Sequence, residues 1–223
     1  MTQYLLLLET SHRIGRIAVA LGDTIVGERS LDESRRHARD LVPAVHALLG
    51  AQGIKARDLA GVFVSRGPGS YTGLRVGIMS AKTLAYATGC ALLAIDTFAA
   101  IRAQVPAEFA DLDVLADAQQ DKVYVQRFGS DAMPLHIMKF DDWLTESRDR
   151  NRAVAGPALE TLSSRIVGVH ILPGEYWYAT PAGLLAIGWD RFTRGERDDL
   201  FAVEPLYLRA SEAELKWSAS LAP

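Results

Sequence analysis

The chain has 223 residues, 49% hydrophobic and 23% charged, with a formal net charge of −3 and a pI near 6.0. That fits one large globular domain or two small ones, and gives no electrostatic ground for strong nucleic-acid binding by this chain alone. The one cysteine, Cys90, excludes an internal disulfide and a multi-cysteine zinc site, and its place after an apolar helix reads as a buried, inert thiol. No apolar stretch approaches the ~20 residues of a membrane span, and no basic region with a cleavable apolar core opens the chain, so a cytoplasmic location is expected.

In chain order, residues 3–8 read as a buried strand, then 14–21 and 24–28 as strands joined by the turn Leu21-Gly22-Asp23. Residues 41–49 form a short amphipathic helix with Leu41, Val45, Leu48 and Leu49 on one side. Pro43 is tolerated there with Asp40 as N-cap, whereas an earlier start puts a proline inside the helix. Around it Arg29, Arg35, Arg36 and Arg39 interleave with Glu28, Asp32, Glu33 and Asp40, the pattern of a solvated face or the rim of a protein interface.

A strand at 59–64 leads through Gly67-Pro68-Gly69 into a helix from Ser70. On a helical wheel one face carries Gly73, Leu74, Gly77, Ile78, Ala81, Leu84 and Ala85, with small residues four apart that allow close approach of another backbone. The opposite face, Val76, Met79, Ser80, Thr83 and Ala87, is not that of a solvated helix; only Arg75 and Lys82, with Tyr86 beside them, are charged or amphipathic. A helix apolar nearly all round is covered nearly all round, either by its own domain or by another chain. A strand at 91–95 and a helix at 98–104 complete a first unit, 1–104, ordered as a β-meander then α-β-α-β-α.

A second unit, 105–223, begins near Val105-Pro106. It offers a hairpin, 113–118 and 122–128 across Gln119-Gln120-Asp121, a strand at 135–140 and a helix at 141–147. A strand at 153–155 runs into a helix at 157–164, Thr180-Pro181 opens a helix to about Thr193, and 204–209 is a late strand or extended arm.

The loop 67–73 matches neither phosphate-binding pattern: the third glycine comes one place late for Gly-x-Gly-x-x-Gly, and Gly73 is followed by Leu74 rather than Lys. Its N–H groups can hold an anion, or its glycines can simply make a tight strand-to-helix turn. His12, His37, His46, His136 and His170 form no metal-binding spacing, no serine sits in a Gly-x-Ser-x-Gly elbow, and Ser70 reads as an N-cap.

The run from Ser65 to Gly77, with Ala81-Lys82-Thr83-Leu84-Ala85, Ile95-Asp96-Thr97, Leu8-Glu9-Thr10-Ser11, Asp117-Ala118, Val123-Tyr124 and Glu204-Pro205-Leu206-Tyr207-Leu208-Arg209, resembles the bacterial tRNA threonylcarbamoyladenosine biosynthesis family TsaB, also called YeaZ. The resemblance implies an α/β, actin-like ATPase (ribonuclease H-like) fold with two lobes of mixed β-sheet flanked by helices. It also implies a non-catalytic subunit that pairs with a larger paralogue, TsaD, the metal-bearing transferase. A TsaE-type ATPase joins that pair, tRNA is met only through the complex, and the subunit alone forms homodimers through the same helices. The partner or dimer surface is then expected on Arg39, Pro43, His46, Arg75, Val76, Met79, Ser80, Thr83, Tyr86 and Ala87. A vestigial phosphate site is expected at Glu9, Thr10, Ser11, Gly67 and Gly69, with no catalytic residue, no metal, and ATP or ADP only in the complex.

Where TsaD-like chains present metal-binding histidines, this one reads Ile95-Asp96-Thr97-Phe98-Ala99-Ala100. Two places depart from the family pattern: Glu9 stands for the usual aspartate, and Gln119-Gln120-Asp121 replaces a hairpin turn with arginine and glycine. The competing readings are an ATPase or kinase of the same fold using Glu9 and the 67–73 loop, and a peptidase, for which no nucleophile pattern exists.

Overall fold

The computed structural model describes residues 3–31 and 37–207. The first lobe runs β1 (Tyr4–Glu9), β2 (Arg16–Leu21), β3 (Thr24–Ser30), α1 (His37–Ala51), β4 (Leu59–Gly67), α2 (Tyr71–Thr88), β5 (Ala91–Asp96) and α3 (Thr97–Gln104). The second repeats that order with β6 (Leu112–Asp117), β7 (Lys122–Phe128), β8 (Met133–Lys139), α4 (Phe140–Asp149), β9 (Ala153–Ala155), α5 (Leu159–Leu162), β10 (His170–Ile171) and α6 (Pro181–Thr193). The sheets are β3-β2-β1-β4-β5 and β10-β9-β6-β7-β8. In each, the lobe's first strand is antiparallel to its second and parallel to its fourth.

Strand β1 is a continuous apolar run because both faces of its sheet are covered. On one face α1 and α2 close over Leu6, Leu8, Val62 and Val64. On the other, α3 and α6 lie between the two sheets, where Leu5, Leu7, Phe63, Phe98, Val114, Ala155 and Leu184 share one core. Helices α4 and α5 cover the far face of the second sheet over Val123, Val125 and Val154. The result is the two-lobed α/β arrangement expected, in five layers. Helix α6, last in the second lobe by chain order, packs on α3 and on β1, β2, β4 and β5 of the first.

Three details differ from the sequence reading. Helix α1 includes His37, so Asp40 is not its N-cap and Pro43 lies inside it, with no N–H to give the carbonyl of Arg39. Residues 204–207 form an arm and no strand: the Leu206 N–H donates to the Arg66 carbonyl at 2.7 Å, and Lys82 Nζ to the Val203 carbonyl at 3.0 Å. Arg35, Arg36, Asp32, Glu33, Leu208 and Arg209 lie outside the described residues. Beside β5, the Asp198 N–H donates to the Leu92 carbonyl at 2.9 Å and its carboxylate accepts from Ala94 N–H at 2.7 Å, which covers an otherwise open sheet edge.

The row of small residues on α2 serves the approach of that helix to the end of β1. A Cβ on Gly73 would lie 2.1 Å from the Thr10 carbonyl oxygen, and one on Gly77 2.1 Å from Thr10 Oγ1. Gly73→Ala, which meets rigid backbone, should cost about 1–3 kcal/mol. Gly77→Ala, which meets a side chain able to turn, should cost less. Denaturant midpoints of the two variants test the order; an unchanged midpoint for Gly73→Ala would show that the helix can retreat freely.

Candidate functional site

Two regions collect the residues singled out from the sequence. The first is a groove of about 350 Å³ between α1 and α2, floored by Leu6 and Leu8 and walled by Leu41, Val42 and Val45 on one side and Met79, Ser80, Thr83, Leu84 and Ala87 on the other. Helix α2 is fixed here at both ends: Ser70 Oγ accepts from Gly73 N–H at 3.2 Å, and Gly89 closes the far end in the left-handed region at φ 73°. Along its outer side Met79 is 59% exposed and Tyr86 75%, with Val42 of α1 at 64%. Thr83 and Ala87 are exposed as well, while Val76 and Ser80 are half-buried.

The other expected surface residues are set apart. Arg39 and Pro43 line a neighbouring depression with Arg29, Ser30 and Ala44, and His46 is exposed on α1. Arg75 lies one turn before Met79 on α2, its guanidinium over the Tyr71 ring at 3.9 Å and its Nε donating to the Tyr207 hydroxyl at 2.9 Å. The wheel missed Val42, which adjoins Pro43 off the apolar face, and Tyr207, which only the folded arm brings to Arg75.

The second region is a cavity of about 490 Å³ between the lobes, lined by Ser11, His12, Arg13, Pro68, Gly69, Ser70, Thr72, Thr97 and Ile101 from the first, and by Ala116, Asp117, Pro157, Tyr178 and Ala179. Of the five residues expected at a phosphate site, Ser11 and Gly69 line it. Gly67 is buried against the Leu206 carbonyl, and Thr10 is sealed under α2. Glu9 is buried with its carboxyl turned into the protein; Oε1 accepts from Ser11 N–H at 2.6 Å and from the Ser11 hydroxyl, while Oε2 has no partner. Burial pushes its pKa up to about 7 against the hydrogen bonds from Ser11.

Across the cavity, His12 of the first lobe packs against Tyr178 with the rings tilted by 40° and their centroids 3.9 Å apart, and its Nε2 lies 3.6 Å from Glu160 Oε2. The Tyr178 hydroxyl donates to the same carboxylate at 2.9 Å. Burial lowers the His12 pKa, opposed by Glu160, and burial with Glu160 pushes Tyr178 up to about 12. Among the described residues no three of His, Cys, Asp and Glu are grouped to hold a metal, and no helix is long and apolar enough to cross a membrane.

Residues 30–167 match the family model described as TsaD: tRNA N6-adenosine threonylcarbamoyltransferase. The chain is 27% identical to the tRNA threonylcarbamoyladenosine biosynthesis protein TsaB of Bacillus subtilis over 97% of this chain and 98% of that one. It is 31% identical to an uncharacterized protein of Mycobacterium tuberculosis over 85% of this chain and 83% of that one. The tRNA N6-adenosine threonylcarbamoyltransferase of Sorangium cellulosum matches 28% of this chain at 43% identity, and only 18% of its own length is covered. In fold, YeaZ from Pseudomonas aeruginosa superposes with a TM-score of 0.72 at 21% identity, covering 92% of this chain and all of that one. With the glycine loop, the two-lobed α/β fold and the full-length alignment in agreement, the chain belongs to the TsaB (YeaZ) family.

Proposed function

We propose that this chain takes part in tRNA threonylcarbamoyladenosine biosynthesis as a non-catalytic scaffold subunit, pairing through its α1/α2 face with a larger transferase of the TsaD type. The observation that carries the reading is the uncovered ground at Val42, Met79, Thr83 and Ala87, beside an apolar groove between two helices. Further members of the assembly are a TsaE-type ATPase, and tRNA held by the complex in the cytoplasm. Two copies of this chain pair through the same helices when the transferase is absent. The inward turn of Glu9, with Ser11 answering its carboxyl, supports a subunit without bond-making chemistry of its own. ATP or ADP belongs to the assembled complex.

Met79→Arg and Thr83→Arg place a charge in the centre of that face. Each should abolish co-purification with the cognate transferase, since a guanidinium buried without a partner costs several kcal/mol. Far-UV circular dichroism of the lone chain should stay unchanged, because both side chains are exposed in the monomer, while its pairing with a second copy through the same face should be lost in gel filtration. Pairing that persists in both variants rejects this surface.

A further inference from the structure

Helices α1 and α2 hold four charged side chains between them, Arg39, Asp40, Arg75 and Lys82. Arg39 and Asp40 form an ion pair at 2.7 Å and so largely cancel. Lys82 is half-buried and donates to the Val203 carbonyl at 3.0 Å. Arg75 is exposed, and among the described residues no carboxylate pairs with it or with Lys82, the exposed Glu204 of the arm included. The face is therefore cationic on a chain whose net charge is −3. Arg75 is also held in place before any partner arrives. Its guanidinium lies over the Tyr71 ring, its Nε is engaged by the Tyr207 hydroxyl, and the two rings pack with centroids 5.0 Å apart. N–H groups remain on the planar fork, whose geometry matches a carboxylate. An arginine fixed in this way loses little side-chain freedom on binding, and arginine with tyrosine is a common anchor of protein interfaces.

We propose that this face selects its partner by charge. It takes a protein that sets a carboxylate against the Arg75 fork beside apolar side chains that fill the α1/α2 groove, and it disfavours a second copy of this chain. The inference rests on the pairing surface of the proposed function and adds the chemistry of what binds there. Met79 follows Arg75 by one turn of α2 and walls the groove, so the charged and apolar contacts form one patch. A self-paired dimer brings two cationic faces together, and the one carboxylate on either helix is Asp40, already engaged by Arg39. Like charges brought face to face work against the wrong partner, while a carboxylate opposite Arg75 favours the right one. Tyr207 is then a positioning residue, supplied by an arm 132 residues further along the chain.

Calorimetric titration of the full chain with the cognate TsaD-type transferase, and sedimentation of the lone chain, test the proposal at low and high salt. Arg75→Glu should weaken pairing with the transferase roughly tenfold or more and strengthen self-pairing. A poorly folded variant would lose both, so the opposite signs carry the test. Raising sodium chloride from about 0.05 to about 0.5 M should weaken the parent's pairing with the transferase and tighten its self-pairing, because exposed charges are screened. Tyr207→Phe keeps the ring and removes the hydroxyl that holds Nε. It should weaken transferase pairing about two- to tenfold and leave the salt dependence in place, since the charge stays. Transferase pairing indifferent to Arg75→Glu overturns the proposal, as does self-pairing that this variant weakens. Where Met79→Arg abolishes transferase pairing and Arg75→Glu leaves it unaltered, the selection by charge falls and the pairing surface stands.

Discussion

Asp113→Ala should unfold the second lobe at a denaturant concentration far below that of the parent. Asp113 is fully buried and carries the lobe's ionic core. Its Oδ1 accepts from Arg152 Nε at 2.6 Å and lies 3.8 Å from Arg127 Nε; its Oδ2 accepts from Trp143 Nε1 at 2.8 Å and from the Ser147 hydroxyl at 2.7 Å. Arg152 also reaches Asp131 and the carbonyls of Leu112 and Phe128, and Arg127 reaches Glu146. The carboxylate thus joins β6 to α4 and to the residues just before β9. Its loss leaves two buried guanidiniums short of their central counter-ion, and the indole and serine donors unanswered. Breaking such a buried set from one side costs roughly 3–5 kcal/mol, a large part of the ~5–15 kcal/mol that holds a typical domain folded. Urea unfolding followed by tryptophan fluorescence, with Trp143 inside the network, measures the loss. A change under about 1 kcal/mol would mean that the network contributes little beyond its own desolvation.

Much of the fold was legible because hydrophobic period and local caps encode it directly. The strand at 59–64, the helix after Ser70 and the helix after Thr180 follow from an apolar run, a hydroxyl cap and a proline at the first helical position. The repeat between the lobes was not legible, because it resides in topology. Helix α2 has 18 residues and its counterpart α5 has 4, while β5 has 6 and β10 has 2. The wheel on α2 separated exposed Met79, Thr83 and Ala87 from buried Ile78, Ala81 and Ala85. It could not place Val76, which packs against the core, nor show that exposed Arg75 meets an arm 132 residues away. The same holds for the cavity: Ser11, Thr97 and Tyr178 meet only through sheet topology and the crossing of the chain between lobes.

Glu9→Gln should remove a pH dependence from the stability of the protein. The Glu9 carboxyl has its pKa pushed up from 4.5 to about 7 by burial, in spite of the two hydrogen bonds from Ser11. Between those values the folded chain holds a proton that the unfolded chain has released. Stability linked to this group is therefore full below the lower value and is lost as the pH rises through 7. A shift of that size corresponds to about 3 kcal/mol between roughly pH 4 and pH 9. Glutamine keeps the shape, offers its Oε1 to the Ser11 N–H and hydroxyl, and never ionises. Unfolding free energies of the parent and Glu9→Gln, measured across that range, should diverge above neutral pH with the variant the more stable. Other titrating groups cancel in the difference. Parallel curves would place the Glu9 carboxyl in contact with water, and would count against its inward turn.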